Sequence, residues 1–210
     1  SPNPSYTFPV TNMNYAVSLI VTDTYGCQDT IVDSVFVKPG ISFTFSNNDT
    51  CQGYPTKFKP VNNALGDSLY SVTWNFGDPT SGPSNTSLLY SPTHTFSGPG
   101  TYIVRMKAFN SDNCVDSIYR EVTVYKDPDP LFAFTSLPCN DTIFFRDSTL
   151  VAGSGAITSW LWDFGDPASG VDNTSILQNP YHVYLNEGTY PVTLTLTNDK
   201  CCVDSISLTV

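Results

Sequence analysis

Two histidines, six cysteines and 19 acidic residues are the groups in this 210-residue chain whose chemistry could support a reaction or a ligand. His94 and His182 lie 88 positions apart in matching surroundings, Pro92-Thr93-His94-Thr95-Phe96 and Pro180-Tyr181-His182-Val183-Tyr184. A Ser–His–Asp relay needs all three groups in one site, and a cysteine nucleophile needs a thiolate beside an imidazole. One strand histidine per repeat assembles neither. In a third occurrence of the pattern, Pro4-Ser5-Tyr6-Thr7-Phe8, tyrosine stands in the histidine's place. A metal site would not readily accept that exchange, so each histidine reads as a packed strand residue. The acids show no spacing that singles out a carboxylate pair for glycoside hydrolysis. Asp78 or Asp166, beside Asp112 or Asp172, could hold calcium at a domain end, but the compact alternating run of a calcium loop is missing. The residues therefore call for no catalytic group, no metal and no cofactor, with calcium as the weaker alternative.

Composition narrows the class. A net charge of −10, with 13% charged and 13% aromatic residues, is unlike a disordered acidic tail, which carries many charges and few rings. Nine Lys and Arg, without a basic cluster, argue against nucleic-acid binding. No apolar run approaches the ~20 residues of a membrane helix, and no charged-then-apolar leader opens the sequence. The chain is rich in Ser, Thr, Val, Tyr and Phe and punctuated by Pro and Gly, which reads as all-β. Six cysteines in such a chain point to disulfides and an oxidising compartment.

The elements that would hold these residues repeat. Trp74-Asn75-Phe76-Gly77-Asp78-Pro79 recurs as Trp162-Asp163-Phe164-Gly165-Asp166-Pro167, 88 positions later. Cys51 recurs as Cys139, Cys114 as Cys202, and Gly100-Thr101-Tyr102 as Gly188-Thr189-Tyr190, all at that same offset of 88. Tyr15, Tyr102 and Tyr190 each precede a cysteine (Cys27, Cys114, Cys202) by 12 residues. Residues 39–126 and 127–210 are thus two whole copies, and 1–38 the C-terminal half of another. The natural polypeptide is expected to continue in both directions.

Period-2 alternation marks the strands. Tyr102, Val104, Met106 and Ala108 face inward, as do Tyr190, Val192, Leu194 and Leu196, and no stretch has a helical apolar period. Several short strands per copy predict a two-sheet sandwich. Trp and Phe of the six-residue landmark point into the same face, Gly permits positive φ, Asp can bond the following backbone, and Pro ends ladder donation. Gly-Thr-Tyr reads as the tyrosine corner of immunoglobulin-like sandwiches.

Trp-x-Phe-Gly-Asp, then Pro-x-His-x-Phe/Tyr, then Gly-Thr-Tyr resembles the PKD (polycystic kidney disease) domain, across essentially the whole chain. The Gly77–Gly82 and Gly165–Gly170 loops look like those of giant surface proteins of Bacteroidota. The resemblance implies tandem immunoglobulin-like β-sandwiches: a non-catalytic extracellular stalk or fibre of a cell-surface adhesin, with type IX export. The expected partners are neighbouring repeats of the same chain, self-assembly into a fibre, and an unidentified surface or glycan receptor. The alternative is a spacer or glycan-binding accessory region of a secreted hydrolase, with Tyr70, Tyr90, Tyr119 and Tyr125 as candidate glycan-facing rings.

The repeat register suggests within-copy disulfides, Cys51–Cys114 and Cys139–Cys202, leaving Cys27 for a partner in the absent half and Cys201 outside the scheme. By the resemblance, Asp-Ser/Thr followed by an apolar residue or Thr is a glycosylation signal, which makes the hydroxyls of Thr30, Ser34, Ser68, Ser117, Thr142, Ser148 and Ser205 candidates.

Overall fold

A computed structural model describes residues 3–9, 11–38, 40–63, 69–111, 114–137, 141–151 and 153–210. The chain opens with a hairpin of β1 (Met13–Thr22) and β2 (Gln28–Val37). The next eight strands are β3 (Phe43–Asn47), β4 (Thr50–Cys51), β5 (Thr56–Asn62), β6 (Leu69–Asn75), β7 (Thr86–Ser87), β8 (Thr93–His94), β9 (Gly100–Asn110) and β10 (Val115–Tyr125). They form two sheets, β3-β5-β8 and β4-β10-β9-β6-β7. The last seven are β11 (Phe132–Ser136), β12 (Thr142–Asp147), β13 (Ile157–Asp163), β14 (Thr174–Ser175), β15 (Tyr181–Val183), β16 (Pro191–Asn198) and β17 (Val203–Thr209). These give sheets β11-β12-β15 and β14-β13-β16-β17. No α-helix occurs among the described residues; two short 3-10 segments, Pro79–Asn85 and Pro167–Asn173, follow the Trp landmarks where the sequence reads only as a turn.

Each pair of sheets encloses its own core. Phe45, Phe58, Trp74, Phe76, Val104 and Met106 are buried in the first sandwich, and Phe145, Trp162, Phe164, Val192, Leu194 and Leu196 in the second. At roughly 1.5–3 kcal/mol for each large apolar side chain removed from water, these layers are what each sheet pair is built to cover. The alternation is visible in the accessibility of β16, where Val192, Leu194 and Leu196 are fully buried and the threonines between them are not.

The hairpin β1–β2 has the pairing register of β9–β10. Tyr15 faces Val35 as Tyr102 faces Val122, and Leu19 faces Ile31 as Met106 faces Ile118. In the sandwich that face is buried. In the hairpin Val17, Leu19, Val21, Ile31 and Val35 are exposed.

The cysteines depart from the expected scheme. Cys51 is bonded to Cys202 of the other sandwich, not to Cys114. Cys114 is a free thiol packed against the first core, and Cys139 lies outside the described residues. The reason is strand length. Cys51 pairs beside Tyr125 at the end of β10, whereas Cys114 precedes the start of that strand. Eleven residues of extended chain put them roughly 33 Å apart, against the ~4.4–6.8 Å between Cα atoms that a disulfide spans.

Candidate functional site

Each sandwich builds one polar hub where the Trp landmark meets the histidine strand. Trp74 and Phe76 lie two residues apart on the buried face, and the indole N–H donates to Leu89 O at 3.0 Å. Trp162 does the same to Leu177 O at 2.9 Å. Gly77 then turns the chain at φ 70°, and a Cβ there would lie 2.4 Å from the Ile103 carbonyl oxygen, so only glycine fits. The turn drives Asp78 back under the sheet, with its amide donating to Asn85 Oδ1 at 2.7 Å. Asn173 plays that part for Asp166 at 2.6 Å.

The buried Asp78 carboxylate gathers donors. Its Oδ2 lies 3.1 Å from His94 Nε2 and accepts the Ser97 amide at 2.9 Å. Its Oδ1 accepts the Ser97 hydroxyl at 2.6 Å and the Thr80 hydroxyl at 2.8 Å. Burial opposes the charge, but the bonds from Ser97, Thr80 and His94 outweigh it and hold this carboxyl well below the usual carboxylate range. His94 stacks on Phe76 at 4.3 Å, which makes it the packed strand residue its sequence context implies.

The chemistry of the hub is structural. In a serine relay the hydroxyl bonds to the imidazole. Here the Ser97 hydroxyl and the His94 imidazole both bond to the carboxylate, so the order needed to activate a nucleophile is not assembled. Asp78 also reaches further than the sequence implies, tying the landmark to two other segments rather than only to its own turn.

The second hub differs. Asp166 Oδ2 keeps its imidazole, His182 Nε2, at 3.1 Å. Ala168 and Leu185 stand where Thr80 and Ser97 stand in the first copy. The Asp166 side chain is 10% exposed, against 1% for Asp78, and faces a cleft of about 680 Å³ lined also by Asp172, Tyr181, His182 and Leu185. Tyr184 beside it donates its hydroxyl to Phe164 O at 2.9 Å; burial, then the nearby Asp166 charge, push its phenol well above the ordinary tyrosine range.

A ring triad accompanies these hubs and also occurs in the hairpin segment. His94–Phe96–Tyr102 has centroid separations of 4.6 and 4.2 Å, and His182–Tyr184–Tyr190 of 4.5 and 4.1 Å. Tyr6–Phe8–Tyr15 follows at 5.1 and 4.5 Å with the same edge-on, then tilted, sequence of angles. The corner tyrosines bond as expected, Tyr102 to Gly98 O and Tyr190 to Asn186 O, both at 2.8 Å.

The second place where functional residues converge is the junction between sandwiches. Cys51 and Cys202 lie 5.6 Å apart at Cα, 151 residues apart in sequence. Asn198, buried, donates from Nδ2 to Lys126 O of the linker at 3.1 Å and to Ser154 O at 2.6 Å. Its Oδ1 accepts the Cys202 amide at 2.9 Å. Lys200 lies over the Tyr125 ring at 5.8 Å, which takes Tyr125 out of the candidate glycan-facing set. Asp127 sits beside the disulfide; burial, then the Asp204 charge, raise its carboxyl above the usual range. Cys51, Cys202 and Asp127 come together at the spacing of metal ligands, but sulfurs bonded to each other offer no thiolate to an ion. Sequence reasoning did not single out Asn198, and it read Asn85 and Asn173 only as Asn-x-Ser/Thr positions, not as acceptors for the Asp78 and Asp166 amides. Their signal is positional: an Asn four residues before a repeat cysteine, and an Asn seven residues after the landmark Asp.

Among the candidate glycosylation hydroxyls, Thr30, Ser34 and Ser205 are exposed, and Ser117, Thr142 and Ser148 are half-buried. Ser68 lies outside the described residues. At Thr30, Ser34, Ser117 and Ser205 the amide donates to the preceding Asp carboxylate at 2.7–2.8 Å, a local bond that accounts for the recurring Asp-Ser/Thr pair.

Among the described residues, no helix is long and apolar enough to cross a membrane. A segment of the chain is 50% identical over 46 residues to Bacillus cereus collagenase ColQ1, covering 22% of the chain. Collagenase ColA of Bacillus cereus is 38% identical over 61 residues, covering 29%. The chain spans only 4% and 6% of the lengths of these relatives. The PKD1 domain from Vibrio cholerae metalloprotease PrtV is 30% identical, with 40% of this chain and 94% of that one covered and a TM-score of 0.35. The pattern of the PKD domain family matches residues 36–124 and 128–210, most of the chain. The chain belongs to the PKD domain family, immunoglobulin-like β-sandwich modules that are non-catalytic and accessory, and typical of extracellular proteins.

Proposed function

We propose that this chain is a structural stalk segment of a cell-surface adhesin, holding a binding region away from the surface. The observation that carries the reading is the junction: a disulfide, the Asn198 bonds and the Lys200–Tyr125 contact tie successive sandwiches together. A module whose task is spacing needs such fixed joints, whereas a flexible tether does not. The hubs support it too, because their polar side chains are spent on holding strands together. In this reading residues 1–38 are the second half of a preceding repeat, supported by the register and ring triad they share with the whole copies. The Gly-Asp-Pro loops support a Bacteroidota origin and type IX export, and the exposed hydroxyls of Thr30, Ser34 and Ser205 are the favoured glycosylation sites. The receptor contact then belongs to other parts of the polypeptide.

A second reading, a spacer in a secreted hydrolase, is favoured by the likeness to segments of two collagenases. The test replaces residues 39–210 of the full-length protein with an unrelated, length-matched pair of rigid sandwiches. Retained display and adhesion of intact cells support the stalk. Adhesion lost despite full display assigns binding to this segment and overturns it. A secreted enzyme that loses no cell attachment decides for the second reading.

A further inference from the structure

We propose that the Cys51–Cys202 bond is one rung of a repeating series, in which the early cysteine of each sandwich is bonded to the late cysteine of the sandwich that follows. Cys114 is then committed to the preceding repeat and Cys139 to the next one.

The late cysteines are presented identically. Cys27, Cys114 and Cys202 each close a turn whose first residue, Asp23, Asn110 or Asn198, lies four positions earlier. The side-chain oxygen of that residue accepts the cysteine amide at 2.9, 2.8 and 2.9 Å. Its backbone amide donates to the cysteine carbonyl at 2.9, 3.2 and 3.0 Å. The three turns are one device, and in the instance whose preceding repeat includes its early cysteine, the device carries an inter-sandwich disulfide.

The ends of the sandwich agree with this polarity. Cys51 lies beside Tyr125, the last residue of β10 and the start of the linker, so the early cysteine sits at the exit of its repeat. Cys202 follows β16 and reaches back to that linker through Asn198, so the late cysteine sits at the entrance of its own. Exit meets entrance at every joint of a tandem array, whatever the array carries at its tip. Cys114 occupies the entrance of residues 39–126 and is a half-buried thiol. Cys139 matches Cys51 in the repeat and so takes the equivalent partner in the series. Each rung forms when the two thiols give up two protons and two electrons to an oxidant of the disulfide class, which leaves as a dithiol.

The experiment is non-reducing proteolysis and mass spectrometry of the natural full-length protein, alkylated before digestion. Cys114 is expected in a cross-linked peptide with a cysteine about 151 residues before it, and Cys139 with one about 151 residues after it, the spacing of the observed bond. In the Cys114→Ser protein, the partner cysteine of the preceding repeat should become alkylated while Cys51–Cys202 persists. Alkylated Cys114 in the unreduced natural protein, a Cys51–Cys114 peptide, or neighbouring repeats without cysteines at those positions would each overturn the series.

Discussion

Cys51 and Cys202 are joined across the boundary of two separate hydrophobic cores, their Cα atoms 5.6 Å apart. Each core satisfies its own apolar layer, so the bond completes no fold. It fixes the angle and spacing of one fold against the next. That places the joint, rather than either sandwich, at the centre of what this segment does.

Cys202→Ser should leave both cores intact and free the joint. Closing so long a loop is worth about 2–4 kcal/mol when the native geometry accepts the bond. The thermal unfolding of the variant should coincide with that of the wild-type chain in reductant. Unfolding indistinguishable from the oxidised wild type would show that the joint contributes nothing.

The two hubs should differ in what they contribute. Asp78→Ala strands His94 and the Ser97 and Thr80 donors in a buried site, a change expected to cost about 3–5 kcal/mol in the first sandwich. Asp166→Ala removes fewer partners beside an open cleft, and about 1–3 kcal/mol is expected. Urea unfolding followed by tryptophan fluorescence, from Trp74 in the first repeat and from Trp160 and Trp162 in the second, measures both. Equal losses would contradict the contrast between the copies. Because Asp78 is depressed, its contribution is complete above the ordinary carboxyl value of about 3.9 and is lost as pH falls from there.

Asp127 has the opposite sign. Its carboxyl is raised by burial and by Asp204, so ionising it weakens the folded joint as pH rises above the ordinary carboxyl range. Its Oδ1 is buried without a hydrogen-bond partner. Asp127→Asn should therefore raise Tm at pH 7 and leave it unchanged near pH 3. A variant less stable than wild type at pH 7 would show that the charge is used.

Cys201 holds a left-handed backbone at φ 61°, and Gly26 adopts the matching position of the first hairpin at φ 85°. A side chain costs roughly 1–2 kcal/mol in that region, partly offset by the greater entropy glycine loses on folding. Cys201→Gly is expected to stabilise the second sandwich by about 0.5–1 kcal/mol in thermal or urea unfolding. Destabilisation would mean that the exposed thiol has a bonded partner.

Much of the fold was legible because it is written twice. The constant offset located the Trp landmarks, the corner tyrosines and the inward-facing residues of β9 and β16, and alternation gave the sheets. The offset could not locate the disulfide, since equivalence between Cys114 and Cys202 says nothing about which of them meets Cys51. That depends on β4 pairing with the far end of β10, a parallel contact of two residues without a sequence period. The hub was half legible for a similar reason. Asp78 and His94 were each visible, but their meeting depends on how far the Gly77 turn carries the carboxylate back under the sheet.

Disulfide mapping of the 210-residue chain, oxidised and alkylated before digestion, bears most directly on the claim that this is a covalently jointed tandem array. The expected result is a linked pair of peptides containing Cys51 and Cys202, with Cys27, Cys114 and Cys201 alkylated. A Cys51–Cys114 peptide in its place would make each sandwich a self-contained unit and contradict the joint.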